Sequence, residues 1–187
     1  LEPGQLDGLT ITPPADSDGD FELTVTATST EADGDTASST STINVEVTGV
    51  ADAPTLTTSD ASGFEDSPIA LDLSSALTDT DGSETLSITI TGVPEGASLS
   101  AGTANPDGSW TLEPEQLDGL TITPPADSDG DFELTVTATS TEADGDTSST
   151  TSTMNVTVAG VADAPTLAAS DAAGIEDAPI ALDLSSA

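Results

Sequence analysis

Residues 1–76 recur almost letter for letter as residues 112–187, with 11 differences over the 76 aligned positions, so the chain is built on a 111-residue repeat. That period is well beyond the roughly 20–50 residues of solenoid repeats and is about the size of one small self-sufficient domain. The chain is therefore expected to be a string of like units: residues 1–50 form the C-terminal part of one, residues 51–161 a complete unit, and residues 162–187 the N-terminal part of the next. It starts and stops inside the unit without an initiator Met, and so reads as a piece of a longer protein.

Within one unit, Thr, Val, Ile and Leu alternate with polar residues over short stretches bounded by Gly, Pro and Asp, which predicts an all-β fold. In Phe132–Ala138 the residues Phe132, Leu134, Val136 and Ala138 share one face, while Glu133, Thr135 and Thr137 share the other. Met154, Val156 and Val158 form a second inward row. Further strands are expected at Thr55–Thr58, Ile69–Leu73, Leu86–Ile90, Ala97–Leu99, Ser109–Leu112 and Leu120–Ile122, giving seven or eight in all. That density fits two antiparallel sheets in a Greek-key sandwich, with Phe64, Trp110 and Phe132 packed between them. Between units, Gly49–Leu56 and its copy Gly160–Leu167 contain no Gly/Ser run. The last strand of one unit is therefore expected to pass almost directly into the first of the next, stiffened by Pro54 and Pro165.

The chain has 35 acidic residues and no Lys, Arg or His, a formal charge of −35 that nothing inside it answers. Nucleic acid and anionic lipid both require a basic surface, so neither is an expected partner. No stretch approaches the ~20 apolar residues of a membrane-spanning helix, so no membrane insertion is expected in this segment. Without His, Cys, Lys, Arg or Tyr, most general acids and bases, activated nucleophiles and cationic clamps are missing, and the expected role is not enzymatic. The same gaps remove the favoured ligands of zinc and copper. Hard, oxygen-seeking cations remain, and Ca2+, abundant outside cells, is the expected cofactor.

The carboxylates cluster in turns, spaced at i and i+2 with a Gly nearby. The clusters are Glu65-Asp66; Asp79 and Asp81 within Asp79–Glu84; Asp127, Asp129 and Asp131, with the earlier copy Asp16, Asp18 and Asp20; Asp144 and Asp146 within Glu142–Asp146; and the linker residues Asp52 and Asp163. Asp-Gly is a common turn dipeptide, but a turn needs one Asp or Asn, not three acids in five residues, and Asn is nearly absent. Carboxylates this close repel one another unless a counter-ion turns the repulsion into coordination. The helix-loop-helix calcium signature does not fit, because Gly130 is fourth after Asp127 and no helix flanks it.

Taken in order, four features resemble the cadherin-like, Ig-like repeats of giant bacterial surface adhesins of the type I-secreted RTX group. They are Glu65-Asp66; Ala76–Asp81 with its Asp-x-Asp; Asp127–Asp131 ahead of Leu134–Ala138; and Val161–Pro165 at the joint. The family's Leu-Asp-Arg-Glu is replaced here by the aspartate run, and its Asn-Asp-Asn joint by a single Asp. The resemblance implies that Asp79 and Asp81, with Asp144 and Asp146, approach Asp52 and the preceding unit's Asp16, Asp18 and Asp20. It likewise implies that Asp127, Asp129 and Asp131 meet Glu65, Asp66 and Asp163 at the following joint. It further implies a calcium-rigidified spacer on a bacterial cell surface, whose partners are the adjacent repeats of its own chain. A second reading is a self-associating repeat that builds a filament, surface layer or biofilm matrix through lateral contacts between like chains.

Overall fold

The computed structural model describes residues 1–186; Ala187, the last residue of the third expected segment, lies outside the described residues. The strands in chain order are β1 (Phe21–Thr30), β2 (Thr36–Val45), β3 (Thr55–Thr58), β4 (Ala61–Phe64), β5 (Ile69–Ala70), β6 (Leu73–Ala76), β7 (Thr85–Thr91), β8 (Ser98–Leu99), β9 (Thr103–Ala104), β10 (Trp110–Leu112), β11 (Thr121–Thr123), β12 (Phe132–Thr141), β13 (Thr147–Ala159), β14 (Leu167–Ala169) and β15 (Leu184–Ser186). Two short 3-10 turns are the only helical features among the described residues, so the fold is all-β with several sheets.

The largest sheet has the order β4-β13-β12-β7-β10-β9, and a three-stranded sheet has the order β5-β11-β8. All pairings are antiparallel except that of β13 with β4. Each long strand presents alternate apolar residues to one side, as a period of two requires. Leu86, Ile88 and Ile90 of β7, Leu134, Val136 and Ala138 of β12, and Met154, Val156 and Val158 of β13 join Ile69, Leu71, Leu73, Leu99, Leu120 and Ile122 in one buried core. The facing rows of Thr and Ser pair across strands instead, as in the Thr137–Thr151 hydroxyl contact at 3.1 Å.

The stretch from Thr55 to Phe64 changes sheets midway: β3 pairs antiparallel with β6, and β4 then pairs parallel with β13. Asp60 fixes the crossing, since its Oδ1 accepts the Asn155 backbone N–H at 2.8 Å and the Asn155 amide at 3.2 Å. The continuous strand expected at Ile69–Leu73 is broken for a related reason. β5 follows β11, β6 follows β3, and Leu71–Asp72 spans the change, with the Leu71 N–H donating to Leu120 O and Asp72 O accepting from the Ser59 N–H. β4 and β9 are strands that the alternation did not announce. Trp110 and Phe132 pack against the core, but Phe64 is 59% exposed at the end of β4, a correction to its expected burial.

β1 repeats the sequence of β12, β2 differs from the matching part of β13 at Ala37, Ser39 and Ile43, and the two hairpins share one register. Val25 and Ile43 are about half exposed, whereas their counterparts Val136 and Met154 are fully buried. Near-identical strand sequence thus gives the same hairpin in both places, and the sheets packed on it decide whether its apolar face is covered.

Candidate metal centres at the joints

The linker between β2 and β3 is fastened to the following unit residue by residue. Ala51 N–H donates to Asp146 Oδ2 at 3.1 Å, and Asp52 N–H donates to Glu84 Oε1 at 2.8 Å. Asp52 O accepts the hydroxyl of the fully buried Ser140 at 2.5 Å, Ala53 O that of Thr78 at 2.7 Å, and Pro54 O that of Thr150 at 2.6 Å. Gly49 lies directly on the Glu142 carboxylate, where a Cβ would come within 2.7 Å of Cδ. Each backbone group secured in this way removes freedom from the segment that would otherwise hinge.

At this first joint, Asp16, Asp18, Asp52, Asp79 and Glu142 line one cavity of about 240 Å³. Asp20 and Asp144 border the adjoining groove with Glu46 and Glu142. Asp79 is buried and its Oδ1 accepts the Asp81 N–H at 2.8 Å; Asp81 Oδ1 in turn accepts the Ser83 N–H at 2.8 Å and the Ser83 hydroxyl at 2.6 Å. The Ser83 hydroxyl first, and its N–H second, hold the Asp81 carboxyl below the usual aspartate range, with a smaller contribution from the Asp18 backbone N–H across the joint. The Glu142 carboxyl is pushed up by burial; the Ser83 hydroxyl opposes the rise, and the neighbouring Glu84 charge adds to it.

The second joint carries Asp66, Asp127 and Asp163, each offering a carboxylate oxygen within 4.8 Å of the others, all three side chains exposed. Asp66 Oδ1 also accepts the Asp127 N–H at 3.2 Å. The buried Glu65 accepts the Val161 N–H at 2.6 Å, and Asp129 lies beside Gly160. Asp66 and Asp127 both adopt left-handed backbone, φ 57° and 54°, as do their copies Asp177 and Asp16. Asp tolerates this region better than most residues because its short side chain bonds locally. Three acids arranged this way offer the hard oxygen ligands suited to calcium or magnesium.

The structure therefore brings together Asp16, Asp18, Asp52 and Asp79 at one joint, and Asp66, Asp127 and Asp163 at the other. Asp20 and Asp131 are engaged differently: each accepts a backbone N–H from its own unit, that of Val47 at 2.8 Å and that of Val158 at 2.9 Å. Asp146 is likewise spent on the linker backbone. Glu84 and Glu142 fall inside the expected clusters, but the sequence reading passes over them as ligands. Their signal was available in the alternation: Glu84 extends the inward row of Leu86, Ile88 and Ile90, and Glu142 extends that of Leu134, Val136, Ala138 and Ser140, and all of these are buried.

Comparison of the chain with protein-family models and with curated proteins finds no match. No helix among the described residues is long and apolar enough to cross a membrane.

Proposed function

We propose that this chain is a stretch of calcium-rigidified spacer, built from tandem Greek-key sandwiches of the cadherin-like type, that projects a distal binding module of a bacterial surface adhesin. The observation that carries this reading is the convergence of Asp66 and Asp127, from two loops of one unit, on Asp163 of the linker that leaves it, in a chain with no cationic side chain to neutralise them. The linker clamped to β12, to β13 and to the loop ahead of β7 supports a joint built to resist bending. The two sheets sharing one core, with β4 crossing to pair parallel with β13, support the sandwich assignment. The spacer is non-catalytic in this reading: its product is length, and duplication adds reach without requiring new surface.

The test is small-angle scattering on the intact chain during a calcium titration, with magnesium and chelator as controls. A longer maximum dimension and a higher Tm on adding calcium are expected. A particle equally long in chelator would overturn the reading, and calcium-dependent growth in mass would favour lateral self-association instead.

A further inference from the structure

In the six-stranded sheet the inward positions of β7, β12 and β13 fill the core, and the outward positions carry mainly threonine and serine. The strand registers set Thr151, Thr137, Thr89, Thr111 and Thr103 side by side, one each from β13, β12, β7, β10 and β9. Thr153, Thr135 and Thr91 form the next row on one side, and Ser149, Thr139 and Ser87 the next on the other. Paired positions share a face, so these side chains make a grid with spacings of about 4.8 Å across strands and ~6.8 Å along them. Within it the Thr137 and Thr151 hydroxyls meet at 3.1 Å, and Thr111 accepts the Asn105 amide at 3.0 Å. Charge is sparse there: Glu133 is the one acid in β7, β12 and β13, in a chain that has 35. At the β4 edge Phe64 pairs with Ala159, beside the inward Val158, and so stands on this same outward side, where it is exposed. The β1–β2 hairpin repeats the pattern, with Thr26 and Thr40 hydroxyls 3.2 Å apart.

We propose that this hydroxyl face is the surface through which two copies of the chain associate side by side. Each Thr or Ser hydroxyl donates one hydrogen bond and accepts two, so the face is complementary to itself, as a two-fold contact requires. Charge selects the same partner. A cationic partner would be drawn to the acidic turns and joints, and an anionic one is repelled by them. Two copies, each of formal charge −35, repel wherever those turns meet, and this face lets them touch with few carboxylates at contact distance. Phe64 adds an exposed aromatic at its edge, the kind of side chain that anchors interfaces. Five strands about 4.8 Å apart, over about seven residues, give roughly 500 Å² per copy, below the ~800 Å² per partner of a stable complex. One unit therefore pairs weakly, and tandem units pair firmly because each contact raises the effective concentration of the next. The inference goes beyond the spacer reading: the contact needs no ion, and it gives a rod the side by which rods bundle.

The experiment is sedimentation velocity on the intact chain in chelator, across a wide range of protein and sodium chloride concentrations. Reversible growth in mass is expected, and more of it as salt rises, because screening weakens the long-range repulsion while the hydroxyl contacts persist. T151E brings a charge into the grid of both copies and is expected to abolish the growth. F64S is expected to weaken it several-fold, and because Phe64 is exposed in the single chain, this variant tests the contact even if T151E unfolds. S74E adds the same charge as T151E at an exposed position of β6, in the sheet that β6 forms with β3, and is expected to associate as the parent does. Tm recorded for each variant separates lost association from lost fold. A chain that stays monomeric at every concentration and salt level overturns the proposal. So does equal loss in S74E and T151E, which points to net charge and not to this face, and so does growth that requires calcium, which assigns the contact to carboxylates. Retention of a monomeric chain on insoluble cellulose, lost in T151E, also overturns it and assigns the face to a neutral polysaccharide. Association lost in T151E, in a chain whose length ignores calcium, supports the hydroxyl face and sinks the spacer reading alone.

Discussion

At the scale of single residues, the turn role of a carboxylate and the metal-binding role proposed for it can be separated by substitution. Asp127 combines left-handed backbone with a place in the exposed cluster. Asn tolerates that backbone equally well, so D127N removes charge without adding strain. It is expected to leave Tm in chelator unchanged or slightly higher and to weaken calcium binding at the second joint, measured by calorimetry. Asp107 serves as a reference away from the joints. The Ser109 hydroxyl and then its N–H, bonded at 2.7 and 3.0 Å, hold the Asp107 carboxyl below the ordinary aspartate range. Because the folded value lies below the unfolded one, this contribution to stability is present above the unfolded value and is lost as pH falls through the folded one. Glu142 behaves oppositely in calcium-free protein: its raised folded value gives stability that is present at low pH and lost as pH rises through that value. Carboxyl NMR titration checks both signs, and S109A is expected to move only Asp107, upward.

At the scale of elements, the repeat supplies its own control on what sequence decides. Alternation was enough to locate β7, β12 and β13, because long strands with one buried face announce themselves every second residue. It failed where pairing changes sheets: the break between β5 and β6 follows from Leu71 pairing toward Leu120 while Asp72 turns toward Ser59, and no local residue pattern encodes that exchange. β4 was hidden because its Ala-Ser-Gly-Phe sequence lacks β-branched residues and leaves Phe64 outside. The acidic loops were legible as carboxylate clusters, of which Asp66, Asp127 and Asp163 come together. The roles of Glu84 and Glu142 were not, since they depend on carrying the strand phase past the last apolar residue and on knowing that β7 lies beside β12. Leu23 and Leu134 occupy the same place in the same sequence, yet only Leu134 is fully buried. Leu134→Ala is expected to cost about 2–5 kcal/mol in denaturant unfolding, as large-to-small core changes do. Leu23→Ala is expected to cost a small fraction of that.

At the scale of the whole molecule, the two joints are complementary halves of one design. The first joint shows what the following unit brings to the linker: Glu142 against Gly49, Glu84 on the Asp52 N–H, and Asp79 in the cavity. The second shows what the preceding unit brings: Glu65 on the Val161 N–H, Asp129 beside Gly160, and Asp66 with Asp127 around Asp163. Gly49 and Gly160 are the same position of the repeat, so a joint flanked by two complete units places that glycine between both sets of carboxylates. Such a joint concentrates far more negative charge than either half alone, and two physical agents can relieve it. Monovalent salt screens it from a distance, with a Debye length of about 10 Å at 0.1 M, and so lowers repulsion without choosing an angle between units. A coordinated divalent ion relieves it by bonding carboxylates of both units at once, which does fix the angle. The two agents are therefore expected to separate in one measurement: sodium chloride added in chelator raises Tm while the maximum dimension from scattering stays below its calcium value, whereas calcium raises both. Replacing Asp79 and Asp81 by Asn takes away donors contributed by the following unit but leaves the core residues of β7, β12 and β13 in place. The D79N/D81N chain is expected to unfold at nearly the parent's Tm in chelator yet to remain bent at the first joint in saturating calcium. A double variant as extended as the parent would show that the linker's hydrogen bonds alone set the angle, and that the ions serve only to neutralise charge.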